Sequence, residues 1–329
     1  MGVGATWGGA RAVTPTSGPG ISLMSEFIGF AYYAESPTVV INVQRVGPST
    51  GMPTRTQQCD TMLCAYASHG DTKHPILFPS NPNECFHMAV KSFDLAERLQ
   101  TPVFLLSDLD IGMNDWMVPE LEWDDGYTPD RGKVLGPEEL AEMDRFVRYL
   151  DVDGDGIPYR TLPGEDPKGA YFTRGSGHNK YGGYTENSDE YQEIVDRLLV
   201  KWDTAKTMVP DAVLSQSSKK TSIGVIAYGS SDGAVIEARD RLAEQGVYVN
   251  YLRIRAFPFS PEVLEFLHNH DTIYVVEQNR DAQMKSLLML EANDIADRLV
   301  SILHYNGMPI PSECVVTGIM EHQGAEAAA

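Results

Sequence analysis

A glycine-rich loop that carries one arginine among hydroxyl side chains is the stretch of this chain best suited to chemistry. It runs from Arg45 to Thr54 and reads RVGPSTGMPT. A planar guanidinium with hydroxyl donors and backbone amides beside it suits a carboxylate or a phosphate group. An earlier cluster, TSGPG at residues 16–20, forms a second loop rich in glycine and hydroxyl groups. For either loop alone, the alternative is a tight turn that only allows a helix to begin.

The elements around these two loops form a predicted strand–helix–strand unit. Residues 11–16 are typical of a short strand, 17–20 of a turn that neither a strand nor a helix can contain, 21–33 of a helix and 38–43 of an apolar strand. One apolar stripe of the helix contains Leu23, Phe27, Ile28 and Ala31. Both loops therefore follow consecutive strands at their carboxyl ends, where open α/β sheets bind ligands. The sequence predicts a ligand site at this edge of a sheet.

The same two loops carry a resemblance to a known family. The segments TSGPGISLMSE and QRVGPSTGMPTRTQQ resemble the α subunit of 2-oxoacid:ferredoxin oxidoreductases, most of all its 2-oxoglutarate members, and the similarity runs to about Gln323. The resemblance implies that Arg45 and Thr54 are the catalytic residues that recognise the substrate. It also implies that thiamine diphosphate is the cofactor. Backbone amides and hydroxyl groups would bind it, from Thr16, Ser17, Gly18, Pro19 and Gly20.

The activity implied by this resemblance is the oxidative decarboxylation of a 2-oxoacid, with 2-oxoglutarate as the first candidate. The products are an acyl-coenzyme A and electrons that pass to ferredoxin, and the cofactor supplies the chemistry. The implied partner is a β subunit that shares thiamine diphosphate with this chain and carries the Mg²⁺ and the iron–sulfur cluster. An alternative from another class is a non-catalytic α/β assembly or nucleotide-binding module, which would not bind thiamine diphosphate even beside a β partner.

The N-terminal region departs from the family pattern. The family has a Tyr-Pro-Ile-Thr-Pro loop and a glutamate that hydrogen-bonds the aminopyrimidine of the cofactor, and neither is found upstream of the first strand. We therefore expect a truncated pyrimidine-binding domain, whose missing part is supplied by a γ domain or by a separate N-terminal polypeptide.

Alternating strands and helices predict an α/β fold with parallel sheets. We expect a pyrimidine-binding domain over residues 1–113, an irregular extension with a helical linker over 114–213, a transketolase C-terminal-like domain over 214–323 and a disordered tail over 324–329. The further predicted helices cover 57–66, 82–99, 138–150, 191–208, 234–245, 261–268 and 282–290. The further predicted strands cover 76–78, 102–106, 223–228, 247–254 and 272–276.

Composition limits the partners and the location. The chain has 46 acidic and 26 basic side chains and a formal net charge of −20, which argues against nucleic acid and anionic membranes. No apolar run approaches the roughly 20 residues that span a bilayer, and the N-terminus lacks the pattern of a signal peptide. The spacing of the four cysteines fits neither a zinc pair nor an iron–sulfur cluster, and we expect free thiols in the cytoplasm. These residues are Cys59, Cys64, Cys85 and Cys314.

Several other groups could bind or transfer ions. Asp151, Asp153 and Asp155 in DVDGDG resemble the first half of an EF-hand loop, but Leu162 stands where its bidentate acid is needed, so a cation site and a solvated Asx turn both stay open. The same GDG with Asn179 imitates the Mg²⁺ motif of thiamine-diphosphate enzymes. We reject that interpretation because the Ile-Pro pair that follows GDG does not start a helix.

Two histidines have the same ambiguity between catalysis and structure. His69 and Asp71 could form an acid–base pair, and His178 in the RGSGH loop could approach a ligand. For both histidines the alternative is a hydrogen bond that only holds a loop in place.

Overall fold

The structure, a computed structural model, describes residues 1–328 and contains two five-stranded sheets. The strands are β1 (Val13–Thr16), β2 (Thr38–Gln44), β3 (Ile76–Leu77), β4 (Pro102–Asp108), β5 (Val213–Ser215), β6 (Ile223–Tyr228), β7 (Asn250–Ile254), β8 (Ala256–Phe257), β9 (Thr272–Glu277) and β10 (Leu299–Leu303). The first sheet has the order β1-β2-β4-β3-β8, and the second has the order β10-β9-β6-β7-β5. All neighbours are parallel except β8 on β3 and β5 on β7.

Helices cover both sheets. They are α1 (Gly2–Trp7), α2 (Gly18–Tyr33), α3 (Thr61–Ala65), α4 (Pro82–Leu99), α5 (Leu109–Met113), α6 (Pro137–Glu142), α7 (Ser188–Ala205), α8 (Asp232–Glu244), α9 (Pro261–His268), α10 (Gln283–Glu291) and α11 (Ser312–Ala328). Within residues 1–328, no helix combines the length and the apolar character needed to cross a bilayer. Two largely parallel sheets covered by helices confirm the predicted α/β fold.

The start of α2 corrects one expectation. Residues 17–20 were predicted as a turn that no helix could contain, but Gly18 is already the first residue of α2 and Ser17 is its N-cap. A proline fits the first helical turn because its missing N–H would have no intrahelical acceptor there. Of the apolar stripe, Ile28 and Ala31 are buried, whereas Leu23 is 88 % exposed and Phe27 is 67 % exposed.

Local signals placed several elements well. The helix predicted for residues 82–99 is α4, which begins where the Asn81 side chain accepts a hydrogen bond from the Glu84 amide at 2.9 Å. The strand 223–228 and the helix 261–268 also coincide with β6 and α9. The helix predicted for 191–208 is shifted, because Asn187 caps α7 and starts it at Ser188.

The helix predicted for residues 138–150 is wrong beyond its first turns. Helix α6 ends at Glu142, and Met143 is extended. The segment that follows is bound by distant partners: the Arg148 guanidinium donates to the Glu35 carbonyl at 3.0 Å, and the Tyr149 amide donates to the Lys180 carbonyl at 2.9 Å. A continuing helix would direct that amide to a carbonyl four residues earlier, so these tertiary contacts replace it.

The two sheets share one apolar core. A single cluster of buried side chains includes Ile21 and Phe104 from the first sheet unit and Ile226 and Val275 from the second. In addition, β8 follows β7 in the chain but pairs with β3 in the first sheet. The expected boundary near residue 214 therefore does not separate two independent sheets. At the C-terminus, α11 continues through residues 324–328, where a disordered tail was expected, and Ala329 lies outside the described residues.

Candidate functional site

A cavity of about 500 Å³ opens where the carboxyl ends of both sheets meet. The first sheet unit contributes Gly18 and Pro19 from α2 and Arg45 from the loop after β2. The second unit contributes the loop after β9, including Asn279 and Arg280. The structure thus brings the two predicted glycine loops to one cavity, as their positions after consecutive parallel strands require.

Arg45 faces this cavity without a counterion. It directly follows the last residue of β2, and its side chain is half-buried. Within residues 1–328 no carboxylate lies at ion-pair distance from its guanidinium, and its buried Nε atom has no hydrogen-bond partner. A partly desolvated guanidinium without a counterion favours an anion, above all a carboxylate that can accept two parallel hydrogen bonds.

The first turn of α2 lies against the Asp60 carboxylate and offers few amides to a ligand. The Gly20 amide donates to the Ser17 carbonyl at 2.8 Å, and Pro19 has no N–H. A Cβ atom on Gly20 would lie 1.8 Å from the Thr16 hydroxyl oxygen, so only glycine fits there. That residues 16–20 bind the cofactor stays a prediction.

Thr54 lies apart from the other candidate residues. It is exposed on the same loop as Arg45, but it does not line the cavity. The loop bends back between these two residues through a bridge from Val46 to Met52, where the Met52 amide donates to the Val46 carbonyl at 3.1 Å. Arg45 and Thr54 therefore do not line one common cavity, and their joint contact with the substrate stays a prediction.

Asp60 is a buried carboxylate at the cavity that sequence reasoning missed. It is 8 % exposed and accepts a hydrogen bond from Asn42 Nδ2 at 3.0 Å, while its own amide donates to Gln44 Oε1 at 3.0 Å. Burial raises the pKa of the Asp60 carboxyl, although hydrogen bonds from Asn42 and Cys59 and the charge of Arg45 act in the opposite direction. The available signal was the pair of polar residues, Asn42 and Gln44, in an otherwise apolar strand.

A buried hydrogen-bond network ties the cavity to the second sheet unit. Gln58 Nε2 donates to the Tyr228 carbonyl at 2.9 Å, and the Gln58 amide donates to the Gln278 carbonyl at 2.8 Å. Close by, the Ser230 hydroxyl donates to Asp108 Oδ2 at 2.6 Å, and burial raises the pKa of Asp108 to about 6. Most of these groups lie at or just beyond strand ends, so the junction of the two sheets is polar and hydrogen-bonded on the side of the cavity.

Cys59 lines the cavity but is poorly suited to act as a nucleophile. Burial raises the pKa of its thiol to about 12, with a further contribution from the neighbouring Asp60 carboxylate. The thiolate is the reactive form, and it is scarce at neutral pH when the pKa is so high. Its Sγ atom instead donates to the Arg45 carbonyl at 3.2 Å and so helps to hold the loop.

The two histidine candidates lie elsewhere. His69 and Asp71 line a different cavity of about 600 Å³ between α2 and α7, where His69 Nδ1 is 3.2 Å from the Ser68 hydroxyl. His178 is buried, and its ring stacks on Tyr149 with a centroid distance of 4.1 Å. Burial lowers the pKa of His178, which fits a neutral ring that holds its loop in place.

The aspartate loop already contains a cation of the chain itself. The Lys133 ammonium lies 2.6 Å from Asp153 Oδ1 and 2.7 Å from Asp155 Oδ1, and it donates to the Ile157 carbonyl at 2.9 Å. Asp151 accepts from the amides of the loop glycines, as in an Asx turn. This loop is the one cluster of three potential metal-ligating side chains within the described part of the chain.

Fold and site together define an α/β protein of the transketolase-like class, with a ligand cavity at the carboxyl edge of parallel sheets. The solved structure "Split gene transketolase, inactive beta4 tetramer" shares this fold, with a TM-score of 0.54 at 10 % identity over 97 % of this chain and 78 % of that chain. Residues 1–135 match the family model "Pyruvate flavodoxin/ferredoxin oxidoreductase, thiamine diP-bdg".

Relatives of known assignment narrow this class to one family. The chain is 34 % identical to the 2-oxoglutarate synthase subunit KorA of Methanothermobacter thermautotrophicus, over 84 % of this chain and 72 % of the relative. It is also 34 % identical to subunit alpha of 2-oxoacid:ferredoxin oxidoreductase 2 from Aeropyrum pernix, over 94 % of this chain and 48 % of that subunit. The chain belongs to the family of 2-oxoacid:ferredoxin oxidoreductase α subunits.

A solved structure agrees with this assignment. The chain superposes with a TM-score of 0.87, at 26 % identity, on the 2-oxoglutarate:ferredoxin oxidoreductase from Magnetococcus marinus, which was solved with 2-oxoglutarate, coenzyme A and succinyl-CoA bound. The match covers 97 % of this chain and 54 % of that chain. The chain likewise spans about half the length of the Aeropyrum pernix and Saccharolobus solfataricus α subunits, at 48 % and 50 %.

Proposed function

We propose that this chain is the subunit of a thiamine-diphosphate-dependent 2-oxoglutarate:ferredoxin oxidoreductase that binds the pyrimidine end of the cofactor and the carboxylate of the substrate. The reaction is the oxidative decarboxylation of the 2-oxoacid to its acyl-coenzyme A, with electrons passed to ferredoxin. The observation that carries this proposal is the Arg45 guanidinium, which faces the cavity beside the first turn of α2 and has no counterion among the described residues.

Each part of the cavity has a defined task in this proposal. Arg45 binds the substrate carboxylate through two charge-assisted hydrogen bonds and so orients the keto group. The first turn of α2, which contributes Gly18 and Pro19 to the cavity lining, forms a wall against which the uncharged pyrimidine ring can lie. When it is bound, thiamine diphosphate supplies the carbon nucleophile of the reaction. Thr54 joins the substrate contact only if its loop closes over the cavity.

The choice of 2-oxoglutarate is supported by the relatives. Several curated relatives with more than two thirds of their length covered are named 2-oxoglutarate synthase subunits. The solved oxidoreductase from Magnetococcus marinus holds 2-oxoglutarate and coenzyme A. We therefore propose 2-oxoglutarate as the substrate, coenzyme A as the acyl acceptor and ferredoxin as the electron acceptor of the assembled enzyme.

The same enzyme needs groups that the cavity of this chain does not offer. Its lining has no cluster of acidic ligands for a Mg²⁺–diphosphate, and the four cysteines are separate free thiols. We propose that a β subunit holds the diphosphate, the Mg²⁺ and the iron–sulfur cluster. Free thiols are usual in a reducing compartment, which favours the cytoplasm.

The direct test uses the complex assembled from this chain and its native partners. We expect ferredoxin reduction that requires 2-oxoglutarate, coenzyme A and thiamine diphosphate together, with a higher kcat/KM for 2-oxoglutarate than for pyruvate. Omitting each component in turn provides the controls. The proposed function would be disproved if a complex that contains thiamine diphosphate failed to reduce ferredoxin with every 2-oxoacid tested.

A further inference from the structure

We propose that Asp60 is the positioning residue of the candidate site, which fixes the first turn of α2 and holds Arg45 ready for the substrate without neutralising it. This inference rests on the proposed function and extends it to a residue outside the two predicted loops. Asp60 belongs to neither of these loops and lies in no strand or helix. It lies in the strap of residues 57–60 that precedes α3, with its carboxylate against Gly18 and its amide bonded to Gln44, the residue before Arg45.

The side chain of Asp60 serves another helix instead of its own. Asp60 is the N-cap residue of α3, yet its carboxylate accepts no hydrogen bond from the amides of that helix. It accepts instead from Asn42 Nδ2 at 3.0 Å and lies directly against Gly18 at the start of α2. An N-cap carboxylate normally accepts hydrogen bonds from the first amides of its own helix. The Asp60 side chain is instead directed toward α2, so we infer that its contact with α2 has a role of its own.

The contact between Asp60 and α2 is close as well as polar. A Cβ atom on Gly18 would lie 2.7 Å from both carboxylate oxygens of Asp60. The carboxylate therefore lies directly against the Cα atom of Gly18 and determines how far the first turn of α2 can move toward β2. That turn is the backbone wall proposed for the pyrimidine ring, so its position sets where the ring meets the substrate.

Asp60 also balances the charge of Arg45 at a distance. The two groups attract each other, but they are too far apart to form an ion pair. The guanidinium therefore keeps its hydrogen-bonding face for the substrate, while the buried carboxylate, which receives a hydrogen bond from Asn42 and lies against Gly18, supplies the opposite charge. An ion pair at contact distance would instead compete with the substrate carboxylate for the same donors.

The two roles predict different changes in kcat and KM for Asp60→Asn in the assembled complex, namely a large fall in kcat and an unchanged or slightly lower KM. Loss of the α2 anchor should lower kcat by about 10- to 100-fold, since a displacement of about 1 Å at a reacting group can cost about 100-fold. Loss of the negative charge should leave KM for 2-oxoglutarate unchanged or lower it by about 2- to 5-fold, because Arg45 then attracts the substrate more strongly. The matched control is Asp203→Asn on the exposed face of α7, which should leave both constants unchanged.

A double-mutant cycle tests the contact itself without relying on turnover. Gly18→Ala alone places a methyl group against the carboxylate and should lower the melting temperature of the full chain, whereas Asp60→Ala makes room for that methyl group. We therefore expect the effect of Gly18→Ala to shrink by more than half in the Asp60→Ala background. Additive effects, wild-type kcat in Asp60→Asn, or a raised KM with unchanged kcat would each overturn the inference. A wild-type complex without 2-oxoacid turnover would disprove the proposed function, and the melting cycle would then decide the Gly18 contact separately.

Discussion

At the scale of single residues, Arg45 distinguishes a binding site from a structural loop. Its guanidinium faces the cavity without a carboxylate at ion-pair distance in the described part of the chain. A residue that only anchored the loop would be expected to satisfy its donors within the loop. Leaving a half-buried cation without a partner is unfavourable for folding, so the arrangement is better explained by an anionic ligand.

We predict that Arg45→Lys lowers kcat/KM for 2-oxoglutarate in the assembled complex by roughly 10- to 100-fold, and Arg45→Ala by more. Lysine keeps the charge but cannot make two parallel hydrogen bonds to a carboxylate. Thiamine diphosphate affinity and the melting temperature should hardly change. Steady-state kinetics measures kcat/KM, and calorimetry measures the cofactor affinity and the melting temperature. Thr54→Val is the comparison within the same loop, and we expect a smaller loss. Wild-type kcat/KM in Arg45→Lys would contradict the substrate role.

At the scale of elements, a buried ion cluster holds α7 against the end of α2. The Glu35 carboxylate is fully buried, with Arg197 Nη1 at 3.0 Å and Lys201 Nζ at 2.7 Å. Burial alone would raise the pKa of Glu35, but the charges of Arg197 and Lys201 outweigh burial and hold it well below its usual range. The cluster thus fixes the long helix that connects the two sheet units.

We predict that Glu35→Gln lowers the free energy of unfolding at pH 7 by about 3–5 kcal/mol, because it leaves two buried cations unpaired. Since the folded pKa of Glu35 lies below the ordinary value near 4.5, its contribution is complete above that pH and declines as the pH falls further. The difference between wild type and variant should therefore shrink below about pH 4. Urea unfolding across pH measures it, with Asp203→Asn as the exposed control. A difference that stays constant into acid would refute the assignment.

The aspartate loop provides a second prediction at this scale. Because the Lys133 ammonium occupies the space between Asp153 and Asp155, wild-type protein should show no chelator-reversible thermal shift at about 100 μM Ca²⁺. Lys133→Gln leaves the carboxylates without a cation, so it should melt lower and regain part of the loss in millimolar Ca²⁺. Differential scanning fluorimetry with and without chelator measures this. A shift of several degrees in the wild type would show that Ca²⁺ displaces the lysine.

At the scale of the whole molecule, the cavity depends on the junction of the two sheet units. The strap that carries Gln58 and Asp60 is bound on one side by β2 and on the other by the strand ends of the second unit. The open side of the cavity, however, offers no acidic ligand cluster for a Mg²⁺–diphosphate within residues 1–328. We therefore expect this chain to provide one half of a site that its partners complete.

We predict that the purified chain by itself neither binds thiamine diphosphate with sub-micromolar affinity nor decarboxylates 2-oxoglutarate. The physical reason is that the first turn of α2 can contact the ring but leaves the diphosphate unbound. Isothermal titration with thiamine diphosphate and Mg²⁺ measures this for the lone chain, and the assembled complex is the positive control. Tight binding by the lone chain would mean that the diphosphate has ligands in this chain after all.

The sequence by itself determined the elements whose signals are local. The bounds of α4, α9 and β6 follow from caps, prolines and apolar runs within a few residues of each end. The position of Arg45 after an apolar strand was equally local, because parallel strands always present their carboxyl ends at one edge. The family resemblance also rested on two contiguous segments.

Only the tertiary structure decided what depends on residues far apart in the chain. The contact of Asp60 with Gly18 joins two elements. The early end of α6 depends on hydrogen-bond partners of Arg148 and Tyr149 that lie more than 30 residues away in the chain. Strand β8 joins a sheet formed mainly by the first 110 residues. Likewise, Thr54 shares a loop with Arg45 but not its cavity. Spacing along the sequence indicates which residue types are available. Whether two of them meet is decided by long-range packing and hydrogen bonding, whose free energies exceed local preferences.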